Sequence, residues 1–169
     1  GQIRGAVVLA NMDADPALEV IYAGYPGKVE VRNGDHSPLP GWPAVAPETN
    51  IQSAPAVGAL DGDGTNEVVM CSYLFCTIYN QAGTVVRQWQ KTSSNASPVL
   101  VDINNDGFVD VLYSDSSNII VKDYAGNTLR TIPVSANALT GYNSPSVADI
   151  DNDNTPEILL ATYNAPYKV

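Results

Sequence analysis

Apolar residues along this chain come in short bursts, rich in β-branched and aromatic side chains and bounded by Gly, Asn, Asp and Pro. Val7–Leu9, Glu19–Tyr22, Lys28–Val31, Glu67–Cys71, Thr77–Tyr79, Thr84–Trp89, Val109–Tyr113, Asn118–Val121 and Glu157–Ala161 predict short strands. No window sustains an i, i+3, i+4, i+7 apolar stripe, so helices are expected to be nearly absent. The pattern is all-β. Its longest apolar runs, of the Gly5–Ala10 or Ile158–Ala161 kind, fall far short of the roughly 20 residues of a membrane helix, and no membrane insertion is expected.

The bursts repeat. Asn11-Met-Asp-Ala-Asp-Pro-Ala-Leu-Glu19, Ala59-Leu-Asp-Gly-Asp-Gly-Thr-Asn-Glu67, Asp102-Ile-Asn-Asn-Asp-Gly-Phe-Val-Asp110 and Asp149-Ile-Asp-Asn-Asp-Asn-Thr-Pro-Glu157 align at spacings of 48, 43 and 47 residues. Pro55, Pro98 and Pro145 precede three of these loops by four residues. Asn33, Asn80 and Asp123 follow the loop starts by 21 or 22 residues beside Gly34, Gly83 and Gly126, and Trp42 and Trp89 follow by 31 and 30. Agreement at four offsets defines units near 4–52, 53–95, 96–142 and 143–169, three complete and one incomplete, within a single repeat domain. Each complete unit offers about four strands, the acidic loop joining the first to the second and a Gly-bearing hairpin the third to the fourth. At this period, that is the signature of a β-propeller or partial propeller of about four four-stranded blades.

The motif Asp-x-Asn-x-Asp-Gly-x-x-Asp between two short strands, with Ser-Pro shortly before it, resembles the FG-GAP/VCBS repeat of integrin-like β-propellers. Gly41-Trp42-Pro43 resembles the blade ends of the bacterial secreted forms. The resemblance covers nearly the whole chain and is best in the third unit. It implies that the loops hold calcium, and that the propeller is a scaffold for binding or adhesion, not a catalyst.

Ligand chemistry supports the same ion. Loop positions 1, 3 and 5 turn alternate oxygens toward one centre, position 9 returns a carboxylate from the next strand, and the position 7 carbonyl completes a cage. Six to eight oxygens at about 2.3–2.6 Å suit Ca²⁺, whereas zinc and copper want His or Cys, which the loops lack. An EF-hand is excluded because position 12 counted from Asp102 or Asp149 falls on Tyr113 or Leu160. The third loop, with Asp102, Asn104, Asp106, Phe108 and Asp110 around Gly107, is the strongest match. In the fourth, Asp149, Asp151, Asp153, Thr155 and Glu157 keep every ligand while Asn154 replaces the glycine. The second has Asp61, Asp63, Thr65 and Glu67 but Ala59 at position 1. The first has Asn11, Asp13, Asp15 and Glu19, but Pro16 stands where glycine belongs, and its fixed φ does not permit a left-handed turn. The competing reading is a set of metal-free Asx-turns. Four copies in register weigh against it, because turn chemistry gains nothing from converging like charges.

Composition sharpens this picture. With 18 acidic and 8 basic residues, the formal charge is −10, which argues against nucleic acid partners. Thirteen of those acids lie in the four loops and no base does, so the rest of the chain, with eight bases against five acids, is mildly basic. The acidity reads as metal chemistry. His36, the single histidine, sits in an Asn-Gly-Asp-His turn; there is no Gly-x-Ser-x-Gly elbow and no phosphate-cradling loop with Lys. Cys71 and Cys76 flank a four-residue turn and suit either a cross-strand disulfide or two buried thiols. Trp42, Trp89 and the strand tyrosines read as packing between blades ahead of a ligand platform.

An open arc leaves apolar faces and strand edges uncovered, so completion by a second copy or by the remainder of a longer propeller is expected. The sequence carries neither an initiator Met nor a leader, which fits a mature or excised piece of an extracellular or cell-envelope protein. The leading function is a non-catalytic, calcium-binding module for protein or glycan recognition. The alternative is the scaffold part of a carbohydrate-active enzyme such as a polysaccharide lyase or hydrolase.

Overall fold

A computed structural model describes residues 1–134 and 143–161, and among them the chain forms strands and no helix. Accordingly, no described helix is long and apolar enough to cross a membrane. The strands make four antiparallel sheets in chain order. The first holds β1 (Gln2–Ile3), β2 (Val8–Ala10), β3 (Glu19–Tyr25), β4 (Lys28–Arg32) and β5 (Ala44–Val45), with β1 and β2 both pairing along β3. The second is β6 (Ala56–Gly58), β7 (Glu67–Cys71), β8 (Phe75–Tyr79) and β9 (Val85–Gln90). The third is β10 (Val99–Val101), β11 (Asp110–Ser114), β12 (Asn118–Lys122) and β13 (Thr128–Pro133). The fourth shows β14 (Ser146–Ala148) and β15 (Glu157–Leu159). The third strand expected of the fourth unit lies outside the described residues, as do positions 135–142 and 162–169 of the unit boundaries.

Register recurs with the sequence. Ala10 faces Glu19, Gly58 faces Glu67, Val101 faces Asp110 and Ala148 faces Glu157. Every position-9 acid thus opens a second strand opposite the residue that closes the first. The first strands β2, β6, β10 and β14 are neighbours in that order, so the sheets meet along these edges.

Side-chain alternation explains how the sheets stack. Every residue of β7 and of β11 is buried, the continuous apolar run expected of a strand covered on both faces. Val68 and Met70 pack with Ile21, Val29 and Val31 of the first sheet. Val69 and Cys71 turn the other way, toward Val111 and Tyr113 of the third sheet. Leu112, between those two, joins Val147 and Ile158 of the fourth. Each fully buried aliphatic side chain here contributes about 1.5–3 kcal/mol. The outer strands β9 and β13 carry mostly exposed residues.

Several sequence signals prove to be clamps between sheets. Trp42 Nε1 donates to the Gln81 carbonyl at 2.8 Å and its ring lies 5.9 Å from that of Tyr79, while Trp89 lies 6.2 Å from Tyr113. Both tryptophans therefore pack across to the following sheet. The serine before proline acts similarly: Ala54 N–H donates to Ser97 Oγ at 2.9 Å, and Ser97 N–H donates to Ser144 Oγ at 2.8 Å. Asn80 and Asp123 form the expected turns, Asn80 Oδ1 accepting from Ala82 and Thr84 and Asp123 Oδ1 from Asn127. Cys71 and Cys76, left open by the sequence, face each other in the β7–β8 register and are joined by a disulfide.

One buried charge stands out. Lys91 is 8% exposed, and its Nζ donates to the carbonyls of Ser94 and Tyr73. Burial lowers its pKa to about 8, with Glu48 and Asp115 opposing the shift. The folded state therefore disfavours the ammonium, a penalty fully present below pH 8 and relieved as pH rises, while the unfolded lysine keeps its proton to about pH 10.4. Burial also raises Tyr79 and Tyr113 to about 12, so their contribution declines above pH 10 as unfolded tyrosines ionise. Urea midpoints between pH 7 and 9.5 should rise with a Lys91 component that disappears in Lys91→Met; equal slopes in the two proteins would refute it.

Candidate functional site

The site is built four times from backbone geometry. In the second, third and fourth loops, positions 4 and 6 both have positive φ: Gly62 (78°) and Gly64 (86°), Asn105 (61°) and Gly107 (89°), Asn152 (67°) and Asn154 (68°). Glycine and asparagine tolerate that region best, which explains their use there. The requirement at position 4 was not anticipated from sequence. Neither Ala14 nor Pro16 of the first loop is left-handed, so that loop follows a different path.

Despite that, the hydrogen bonds correspond. Position 3 accepts from the position 5 N–H: Asp13 from Asp15 at 2.9 Å, Asp61 from Asp63 at 3.0 Å, Asn104 from Asp106 at 3.1 Å and Asp151 from Asp153 at 3.2 Å. Position 5 accepts from position 7: Asp15 from Ala17, Asp63 from Thr65, Asp106 from Phe108 and Asp153 from Thr155. Position 9 accepts from the position 2 N–H: Glu19 from Met12 at 2.6 Å, Glu67 from Leu60 at 2.8 Å, Asp110 from Ile103 at 3.2 Å and Glu157 from Ile150 at 2.9 Å. Asp102 and Asp149 at position 1 also accept from the N–H groups of the following turn. The Asx-turn reading is therefore realised. It engages only one oxygen of most of these carboxylates.

Convergence of the carboxylates decides what the loops can hold. Carboxylate oxygens of Asp13, Asp15 and Glu19 lie within 4.8 Å of one another, as do those of Asp61, Asp63 and Glu67 and those of Asp149, Asp151 and Glu157. The third loop, the best match by sequence, does not form such a trio among the described residues; Asp106 Oδ2 accepts from the Asn104 amide at 2.9 Å. Position 1 is Asn11 in the first loop, whose Oδ1 accepts from Asp13, and Ala59 in the second.

Burial and like charge act together on the position 9 acids. Glu19, Glu67 and Asp110 are almost wholly buried. Burial first, then the charges of Asp61 and Asp63, push the Glu67 carboxyl upward; burial, Asp106, Asp102 and Asp123 do the same to Asp110. Exposed Asp63 is instead held low by the hydroxyl and N–H of Thr65. Most telling is Glu19: 0% exposed, with Oε2 on Met12 N–H and Oε1 buried without any hydrogen-bond partner. A buried carboxylate oxygen without a partner is costly, and the same residue belongs to a trio of carboxylates whose chemistry suits a hard cation. Pro16 does not prevent that arrangement.

The loops also touch. Asn66 Nδ2 donates to the Asn11 carbonyl at 2.8 Å, and the Phe108 ring lies against Gly62.

Comparison with known proteins adds three findings. Residues 102–160 match the FG-GAP-like repeat family. No curated protein matches the chain. Among solved structures, the chain is similar to the biofilm matrix protein Bap1 of V. cholerae, at a TM-score of 0.69 and 22% identity over 94% of this chain. The chain spans 28% of that protein's length, and the likeness is one of fold.

Proposed function

Because residues 102–160 are an FG-GAP-like repeat, we propose that the chain is an arc of a β-propeller, stabilised by calcium, that serves as a non-catalytic recognition or adhesion module outside the cell. In this reading the four sheets are blades. The observation that carries it is Glu19, which has one buried oxygen without a partner and forms a carboxylate trio with Asp13 and Asp15. Equivalent trios at Asp61, Asp63 and Glu67 and at Asp149, Asp151 and Glu157 extend it to three loops. Calcium there would neutralise converging carboxylates and fix the entry to each second strand, and carbonyls of the Thr65 and Thr155 type would supply further oxygens. In the third loop, Asp102, Asn104, Asp106, Phe108 and Asp110 would hold an ion once the Asn104 amide turns its oxygen inward. Three ions would bring the formal charge from −10 to −4.

An extracellular setting is supported by similarity in fold to a biofilm matrix protein. Exposed Val7 and Leu9 on the first sheet and Ile150 and Leu159 at the fourth support completion of the arc by further blades, from a second copy or from more of the same polypeptide. The acids outside the loops (Glu30, Asp35, Glu48, Asp115 and Asp123) serve as turn caps or ion-pair partners in several cases, which favours binding over catalysis.

Calorimetric titration of metal-free protein with Ca²⁺, followed by sedimentation of the loaded sample, tests both parts. About three ions per chain and a self-associating species are expected from this geometry. No binding heat would remove the metal assignment, and a compact, stable monomer would remove the open arc.

A further inference from the structure

Chain direction gives the molecule two unlike ends. Acidic loops occupy one, while the β3–β4, β7–β8 and β11–β12 hairpins and the linkers between sheets occupy the other. At this second end, two tyrosines stand at corresponding hairpins of adjacent sheets, Tyr25 57% exposed and Tyr73 45% exposed. Unlike Tyr79 and Tyr113, they are not part of the packed clusters.

Each borders a hollow. One hollow of about 580 Å³ is bordered by Gln2, Arg4, Tyr25 and Asn50, and a second of about 320 Å³ by Glu48, Asn50, Gln52, Tyr73 and Asn95. Asn50 borders both, so the two hollows are neighbours. The lining is mainly aromatic and amide, with Arg4 and Glu48 as opposed charges in the two hollows. Glu48 is already engaged, its Oε2 accepting from the Ser72 hydroxyl and from Leu74 N–H, with the Lys91 charge beneath. The Asn95 Oδ1 atom is buried and has no hydrogen-bond partner. A buried amide oxygen without a donor is costly.

Exposed rings at hairpin tips with side-chain amides beside them suit one chemistry. A pyranose lays its C–H face on the negative face of an aromatic ring, and its hydroxyls both donate to and accept from amides. We propose that these two neighbouring hollows bind a neutral glycan chain, with sugar rings stacked on Tyr25 and Tyr73 and hydroxyls reaching Asn50 and Gln52. The proposal rests on the recognition-module reading and adds the ligand class and the surface, at the end away from the acidic loops.

Native gels containing calcium and soluble dextran, galactomannan, xyloglucan or β-glucan, beside gels containing alginate or hyaluronan, test it. At least one neutral polysaccharide should retard the protein, with no dependence on added salt. Tyr25→Ala and Tyr73→Ala should each weaken that retardation about tenfold, and the Phe variants should retain it, because stacking does not use the hydroxyl. Melting temperatures of all four variants should match the parent, since these side chains are exposed. No retardation by any neutral polysaccharide, or salt-sensitive retardation by the anionic ones alone, overturns the proposal. Retardation untouched by Tyr→Ala also overturns it while leaving recognition elsewhere intact. Failure to bind calcium would instead strike the module reading.

Discussion

Millimolar calcium should raise the melting temperature of EDTA-treated protein by about 10 °C or more. An ion bound only by the folded state contributes RT ln(1 + [L]/Kd), about 2.7 kcal/mol for each site at a hundredfold excess over Kd. Two or three occupied loops therefore exceed about 5 kcal/mol, and for a chain of this size each kcal/mol moves the midpoint by roughly 2–4 °C. The origin is specific. Asp61 and Asp63 both act to raise the Glu67 carboxyl, and Glu19 Oε1 lacks any protein partner, so the fold without metal holds repulsion and an unsatisfied buried oxygen. Glu19→Gln should remove roughly one site's share of the calcium effect while stabilising the metal-free state, because an amide relieves like-charge crowding. Magnesium, which demands a tighter octahedron, should substitute poorly. Superimposed melts in calcium and EDTA would mean that the loops are turns and nothing more.

Gly41→Ala should destabilise the chain by about 3 kcal/mol or more, one of the larger effects available to a single methyl group. Gly41 has φ of 88°, where an L-residue is strained by roughly 1–2 kcal/mol. A Cβ there would sit 2.0 Å from the Ala82 carbonyl oxygen and 2.7 Å from its carbon, both backbone atoms of the next sheet. Backbone cannot rotate aside as a side chain can, so the linker must withdraw. Withdrawal pulls Trp42 from the Gln81 carbonyl and from Tyr79, opening the contact between the first two sheets. Chemical denaturation of the calcium-loaded protein measures this; a loss under about 1 kcal/mol would show that the linker adapts. Gly34→Ala, with open space around its position and no positive φ, is the matched control.

What the sequence made legible was whatever depends on period and spacing. Four loops at corresponding intervals, short strands on either side and the near absence of helix all follow from residues that act locally. The short inner strands were harder to bound, because three-residue elements such as β6 and β14 owe their pairing to the adjacent strand rather than to any propensity of their own. β13 was not delimited, since most of its side chains are exposed and impose no alternation. In the loops, residue identity was the weaker guide. Asp102, Asn104, Asp106 and Asp110 match the motif best, yet Asn104 turns its amide nitrogen to Asp106. The first loop converges without the left-handed turn that Pro16 forbids. Ligand position is set by backbone path and side-chain rotamer, and one-letter spacing carries neither. The Ser-Pro signal shows the reverse case: it was visible as a phased feature, but its meaning, a hydroxyl accepting from the preceding unit, needed three dimensions.

The divided loyalty of β7 also bears on how such a chain can change over time. Val68 and Met70 answer to the first sheet, Val69 and Cys71 to the third, and no residue of the strand answers to both. Energetically the molecule is a row of nearest-neighbour couplings, in which each interface can be rewritten without renegotiating the next. Loss of order in such a row starts at its ends and travels inward, leaving the second and third sheets as the last cooperative unit to open. A lineage built this way can lengthen, shorten or diversify by whole units, and a substitution in one sheet is heard by at most two others.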